Sequence, residues 1–172
     1  WFAVFGLPVL IAAWLLLIRR PWGALFFVAC ELVSAGLVQL LKQSYGRPRP
    51  TEMLTASDFG SFPSGHTANA AAIAVALFIL FPRAWVAIAG VAWALLMAFS
   101  RTLMGAHWLS DTVGGALVGA GASLLVAAAW LGAPRVPSRA TRPASQLGSK
   151  MASQMVVKIS RKEPRCLARL AE

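Results

Sequence analysis

The sequence predicts an all-α fold, a polytopic bundle of membrane-spanning helices, and three observations carry that prediction. Of 172 residues, 58% are hydrophobic and 13% charged, against ~25% charged in an ordinary soluble domain. The apolar residues gather into five blocks, each long or nearly long enough to cross a hydrocarbon core of ~30 Å. The charges are lopsided, 16 Lys and Arg against 6 Asp and Glu, and they lie mostly between the blocks or beyond the last. Such a composition disfavours a soluble globular enzyme.

Residues 1–18 hold no charge and are closed by Arg19 and Arg20. A secretory signal would place its charges ahead of the apolar run and a small-residue cleavage site after it; neither is found, so the block reads as a span. The second span covers 22–41, the third about 67–81, the fourth 84–99 and the fifth 112–133. The third and fourth are short, and flanking Pro82 and Trp85 help bring them to the ~17-residue lower limit. Residues 1–133 form the expected membrane domain, with its motif-bearing core at 42–111. Residues 134–172 are Pro-, Ser- and Arg-rich and then basic, with scattered apolar residues such as Val156, Ile159 and Leu167. They read as a solvated, disordered tail, with attraction to an anionic leaflet as the alternative. Cys30 and Cys166 lie too far apart in this layout to pair, so no disulfide framework is expected.

Alternating spans place 12 Lys and Arg on one side and four on the other, Lys42, Arg47, Arg49 and Arg101. Basic residues concentrate on the cytoplasmic side, so the tail is expected inside and residues 42–66 and 100–111 outside. The net charge of +10 is then a topology signal. With no aromatic interleaving in the basic tail, nucleic acid is not an expected partner.

The polar groups of the outer side are unusual in kind. Both histidines of the chain, His66 and His107, fall there beside cations. Lys42, Arg49 and Arg101 have few carboxylates near them, and Arg forks match phosphate oxygens, so their convergence would make an anion site. Ser64 and Gly65 stand at the start of the third span, where Ser caps a helix and free backbone N–H groups point outward. Asp111 follows His107 by four residues, the spacing of one helical face, so its carboxylate would orient the imidazole and leave the other nitrogen free to attack. His66, without such a partner, has the pKa of a general acid near neutrality. Each motif has a plainer reading beside this one. Pro48, Pro50 and Pro63 stop helices, Arg47, Arg49 and Arg101 anchor at headgroups, and Ser110 or Asp111 caps the fifth span.

Glu31, in the middle of the second span, is costly there if ionised and reads as neutral or hydrogen-bonded packing more than as catalysis. Gly115 and Gly119, four apart in the fifth span, suit close helix packing.

The three segments together, Lys42-x6-Arg49-Pro50, Pro63-Ser64-Gly65-His66 and Ser100-Arg101-x5-His107-x3-Asp111, resemble the type 2 phosphatidic acid phosphatase family, which shares its core with bacterial acid phosphatases and vanadium haloperoxidases. The likeness extends over residues 22–133. Its membrane branch typically has six helices, so the five blocks imply that the first is absent from this sequence. The resemblance implies that Lys42, Arg49 and Arg101 bind phosphoryl oxygens with Ser64 and Gly65 assisting. It makes His107 the nucleophile, Asp111 its orienter and His66 the acid for the leaving group.

The implied reaction is hydrolysis through a phosphohistidine, with no cofactor and no metal; no His, Cys and carboxylate cluster has zinc spacing. A site at the outer ends of the spans favours a lipid phosphate or diphosphate in the cell (inner) membrane. Undecaprenyl diphosphate is the first choice, with phosphatidylglycerophosphate and phosphatidate behind it, and the loop at 51–62 offers nothing to select among them. A lipid phosphotransferase is the near rival, and a non-enzymatic membrane protein the rival of another class. Nothing in the sequence fixes an oligomeric state.

Overall fold

The computed structural model describes residues 2–51 and 60–132, and every apolar block within them is helical. A single π-helical turn, Phe2–Gly6, leads into α1, Leu7–Leu17; α2 is Pro21–Tyr45, α3 Gly65–Leu80, α4 Ala84–Leu103 and α5 Leu109–Gly132. The described residues contain no strand. The basic tail and its expected disorder lie outside them, as do residues 52–59 of the loop after α2.

The widened first turn has a local cause. Pro8 brings no N–H to the carbonyl of Val4 four residues back, and that oxygen lies 3.5 Å from Asn69 Nδ2. α2, α4 and α5, at 25, 20 and 24 residues, are long and apolar enough to cross a membrane; α3 and the first block are shorter. At 1.5 Å per residue the 16 residues of α3 reach ~24 Å.

α3 is the central element, packed against α2, α4 and α5, while α1 lies on α2. Its buried face is small, with Ala68, Ala70, Ala71, Ala72 and Ala76, so backbones approach closely. A methyl group on Gly115 would overlap the carbonyl oxygen of Ser64, and one on Gly119 that of Ala68. On the opposite side, a Cβ on Gly90 of α4 would meet Ala74 Cβ at 2.7 Å. The α5 glycines anticipated from their four-residue spacing thus face α3. Leu15, Phe26, Phe27, Cys30, Ile73 and Ala76 form a core among α1, α2 and α3. α4 leaves Ile88, Val91, Leu95 and Phe99 exposed, which suits a lipid-facing surface.

The mid-helix carboxylate of Glu31 is partnered. Asn69 Nδ2 donates to its Oε2 at 2.5 Å, in keeping with the hydrogen-bonded packing expected of it.

Candidate active site

Four of the five helices run past the apolar blocks that announce them, and the extra turns carry the polar chemistry. α2 continues from residue 41 to Tyr45 and buries Lys42 in its last turn. Gly46 then takes the left-handed conformation, φ 53°, with its N–H on the Lys42 carbonyl at 3.0 Å, a common way to end a helix. Pro48 and Pro50 keep the chain beyond Gly46 out of helix.

This strap is stitched to the chain that returns from the loop. Ser61 donates its N–H to the Arg47 carbonyl at 2.9 Å and its Oγ–H to the Pro48 carbonyl at 3.0 Å. Tyr45 and Phe62 meet edge-on, with ring centroids 5.2 Å apart. Gly60 has φ +76°, and a Cβ there would stand 3.4 Å from the Lys42 carbonyl oxygen, so the loop re-enters directly against the lysine. Ser64 follows as the N-cap of α3, although no backbone N–H is bonded to its side chain. Instead Thr67 Oγ1 donates to Ser64 Oγ at 3.2 Å, and the Ser64 N–H goes to the Asp111 carbonyl at 2.9 Å. His66 sits in the first turn of α3, ahead of the span proper, beside N–H groups that a helix start leaves without intrahelical partners.

His107 lies in the short turn between α4 and α5, not on a helix. The helical-face argument for Asp111 therefore fails locally, and the geometry differs from expectation. His107 Nδ1 is 2.7 Å from the Ser61 carbonyl oxygen, while Asp111 Oδ2 is 3.7 Å away, beyond hydrogen-bond reach. A carbonyl can only accept, so Nδ1 carries the proton and the neutral ring presents a lone pair at Nε2. Asp111 is fully buried and spent elsewhere. Its Oδ1 accepts from Arg47 Nη1 at 2.7 Å and its Oδ2 from the Trp108 N–H at 2.9 Å. The same Arg47 nitrogen donates to Ser110 Oγ at 2.8 Å.

Arg49 Nη1 donates to the Ala106 carbonyl at 2.8 Å, tying a cation to the residue before His107. Arg101, in the last turn of α4, has a buried Nε with no hydrogen-bond partner among the described residues, a donor left for an anion. The cations act on both imidazoles. Burial, then Arg101, His107 and Lys42, lower His66 to about 4. His107 also falls below its ordinary value through burial and Arg49, with Lys42 adding to them, against the opposing pull of the Ser61 carbonyl and Asp111. Residues from all three motifs thus share one electrostatic neighbourhood, and without an anion both rings are neutral at pH 7. Among the described residues no three His, Cys, Asp or Glu side chains gather as a metal-binding group.

Two participants escaped the sequence reading. Ser61 acts through its main-chain carbonyl, which no side-chain pattern reveals. Arg47 looked like a headgroup anchor, and only its 64-residue reach to Asp111 shows otherwise.

Residues 23–134 match the family model described as the PAP2 superfamily. The lipid A 1-phosphatase of Rhizobium etli is 34% identical over 117 residues, covering 62% of this chain and 50% of that protein. An undecaprenyl-diphosphatase of Sulfolobus acidocaldarius is 36% identical over 78 residues, 45% of this chain and 34% of that one. The crystal structure of the transmembrane PAP2-type phosphatidylglycerolphosphate phosphatase of Bacillus subtilis superposes with a TM-score of 0.66 at 28% identity, over 76% of this chain and 70% of that one. The chain spans about half the length of the two Rhizobium lipid A 1-phosphatases that it matches.

Proposed function

Because the chain belongs to the PAP2 superfamily, we propose that it is a membrane lipid phosphatase that hydrolyses a phosphomonoester or diphosphate through a phosphohistidine on His107. The observation that carries this reading is the imidazole itself. Its Nδ1–H is fixed by the Ser61 carbonyl at 2.7 Å, so Nε2 is the free nucleophile, in a site whose described cations outnumber its one carboxylate.

In the first step Nε2 attacks phosphorus, the bond from phosphorus to the lipid oxygen breaks, and His66 gives that oxygen its proton. In the second, water attacks the phosphohistidine, His66 takes the water's proton, and His107 is regenerated. Lys42, Arg49 and Arg101, with Ser64 and Gly65 at the start of α3, neutralise charge on the equatorial oxygens. The depressed pKa of His66 adds one condition. Its proton arrives with the substrate, because a bound phosphate offsets the cations that, added to burial, hold the empty site's imidazole at about 4.

The reaction is proposed to need no metal, to take place at the extracytoplasmic face, and to leave the tail in the cytoplasm, as the distribution of basic residues favours. For the substrate, identities of 34% and 38% over 117 residues to two Rhizobium lipid A 1-phosphatases, against 32% over 125 residues to a phosphatidylglycerophosphatase B, move the 1-phosphate of lipid A ahead of the undecaprenyl diphosphate favoured by sequence. Both present a phosphate at the membrane interface.

The test is phosphate release in detergent micelles with EDTA, from lipid A, undecaprenyl diphosphate, phosphatidylglycerophosphate and phosphatidate, for the chain and its His107→Ala variant. Release from one lipid that is abolished by the substitution supports the reading. Release that survives it sinks the nucleophile, and release that needs an added divalent cation sinks metal independence. Transfer of the phosphoryl group to an added acceptor lipid would make the protein a phosphotransferase.

A further inference from the structure

Arg47 belongs to none of the phosphate-binding positions assigned above, yet it makes the longest-range side-chain contact of the site. One guanidinium nitrogen donates to both Asp111 Oδ1 and Ser110 Oγ. The carboxylate it holds is fully buried, whereas the arginine side chain is 40% exposed, so the cation comes from the rim to a charge that cannot reach water. The guanidinium also lies over the Trp108 ring at 5.9 Å. His107 is flanked by Trp108 on one side and by Ala106, the acceptor for Arg49, on the other.

We propose that Arg47 is a positioning residue that acts as a latch, clamping the His107 turn to the strap that carries Arg49 and keeping the Asp111 carboxylate off the imidazole. This deepens the phosphatase reading and rests on it. The latch makes nucleophile and phosphate-binding arginine one unit, because the strap is pinned at Arg47 to Asp111, at Pro48 to Ser61 and at Arg49 to Ala106. It also settles which acceptor His107 uses. With Asp111 engaged by Arg47 and by the Trp108 N–H, the neutral Ser61 carbonyl takes Nδ1–H and the ring stays a neutral nucleophile.

Removing the arginine leaves a buried carboxylate 3.7 Å from Nδ1 with its charge uncompensated. Among the described residues, the charged and titratable groups that act on the two imidazoles, besides the rings on each other, are Lys42 from α2, Arg49 from the strap, Arg101 from α4 and Asp111 from α5. All of these remain in the variant. Asp111 already pulls His107 upward, and a carboxylate stripped of its cation pulls harder, by about one pKa unit, so His107 would become harder to deprotonate.

The chain has two histidines, so selective ¹⁵N-histidine labelling of the full chain in micelles reads both rings, and His66→Ala assigns them. Arg47→Ala is expected to move the His107 midpoint upward by about one pH unit. It should lower kcat by ~10²-fold, as a small misplacement of a nucleophile does, with little change in KM. Arg47→Lys is expected to restore most of both, since a single nitrogen makes both bonds. Arg47→Gln, which keeps a donor without the charge, repeats the measurement should the alanine variant not fold.

An unmoved His107 midpoint in the Ala and Gln variants would overturn the latch, as would a KM that rises while kcat holds, which would make Arg47 a substrate contact. The titration does not depend on turnover. If the wild-type chain releases phosphate from no lipid, the phosphatase reading falls while the midpoints still decide the latch.

Discussion

Two glycines of α5, two residues apart, should respond to the same substitution with opposite signs. At Gly119 an added methyl would lie 2.8 Å from the carbonyl carbon of Ala68 and 3.0 Å from its Cα, besides overlapping the carbonyl oxygen. These are backbone atoms of a central helix and cannot rotate aside. Comfortable carbon contacts begin at ~3.5 Å, so α3 and α5 must separate by ~0.7 Å or more. Overpacking of this kind costs ~1–3 kcal/mol, against which alanine returns up to ~1 kcal/mol of helix propensity. Gly119→Ala should therefore lose about 1–2 kcal/mol. At Gly121 nothing lies within 4 Å, and Gly121→Ala should gain ~0.5–1 kcal/mol. Reversible unfolding in mixed micelles, followed by circular dichroism, separates the two. Phosphate release adds a second reading, because α3 carries His66 and α5 carries Asp111, and Gly119→Ala should slow turnover ~10-fold or more by misalignment. Equal stabilities for the two variants would refute the close approach of the helices on which the site's geometry depends.

Other outcomes follow from the electrostatics and the buried polar pair. Sulfate, a dianion throughout the range, should compete more strongly as pH falls from 8 to 6. His66 is unprotonated in the empty site, at about 4, and gains a proton as the anion binds, so the inhibition constant should fall by up to ~10-fold per pH unit; a flat profile would remove the proton uptake. Arg101→Lys should reduce kcat by ~10²-fold, since an ammonium cannot reproduce a preorganised guanidinium donor, and single-turnover kinetics would place the loss in the chemical step. Glu31→Gln should stay within ~1 kcal/mol of wild type, whereas Asn69→Leu, which strips the carboxylate of its donor, should cost ~1–3 kcal/mol in the same unfolding assay.

The helices were legible in the sequence, as were the charged side chains and histidines that the fold gathers at the candidate site, and the reasons are physical. A hydrocarbon core demands long apolar runs, and expensive charged residues stand out against them, so the five blocks and the Lys42, Arg49 and Arg101 cations were legible at once. What could not be read was which atoms bond. Periodicity placed Asp111 under His107 on the assumption that both were helical, but α5 starts at Leu109, and the turn before it aims Nδ1 at a main-chain oxygen. Any residue supplies a carbonyl, so the role of Ser61 leaves no trace in composition. Arg47 was visible as a charge but not as a partner, because its acceptor is 64 residues away and only the fold brings them together. Glu31 was recognisable as an anomaly, while the identity of its donor, Asn69 on the next helix, depended on packing.

The bond from the Ser61 N–H to the Arg47 carbonyl closes a ring of chain whose two ends are held independently of what lies between them. Lengthening the chain between such anchors is cheap, ~0.6 kcal/mol for each doubling of loop length, and leaves the strap, the His107 turn and the start of α3 sewn together. Insertions there should therefore spare the stability of the fold, a tolerance that belongs to the paired ends of the strap and not to the sequence between them.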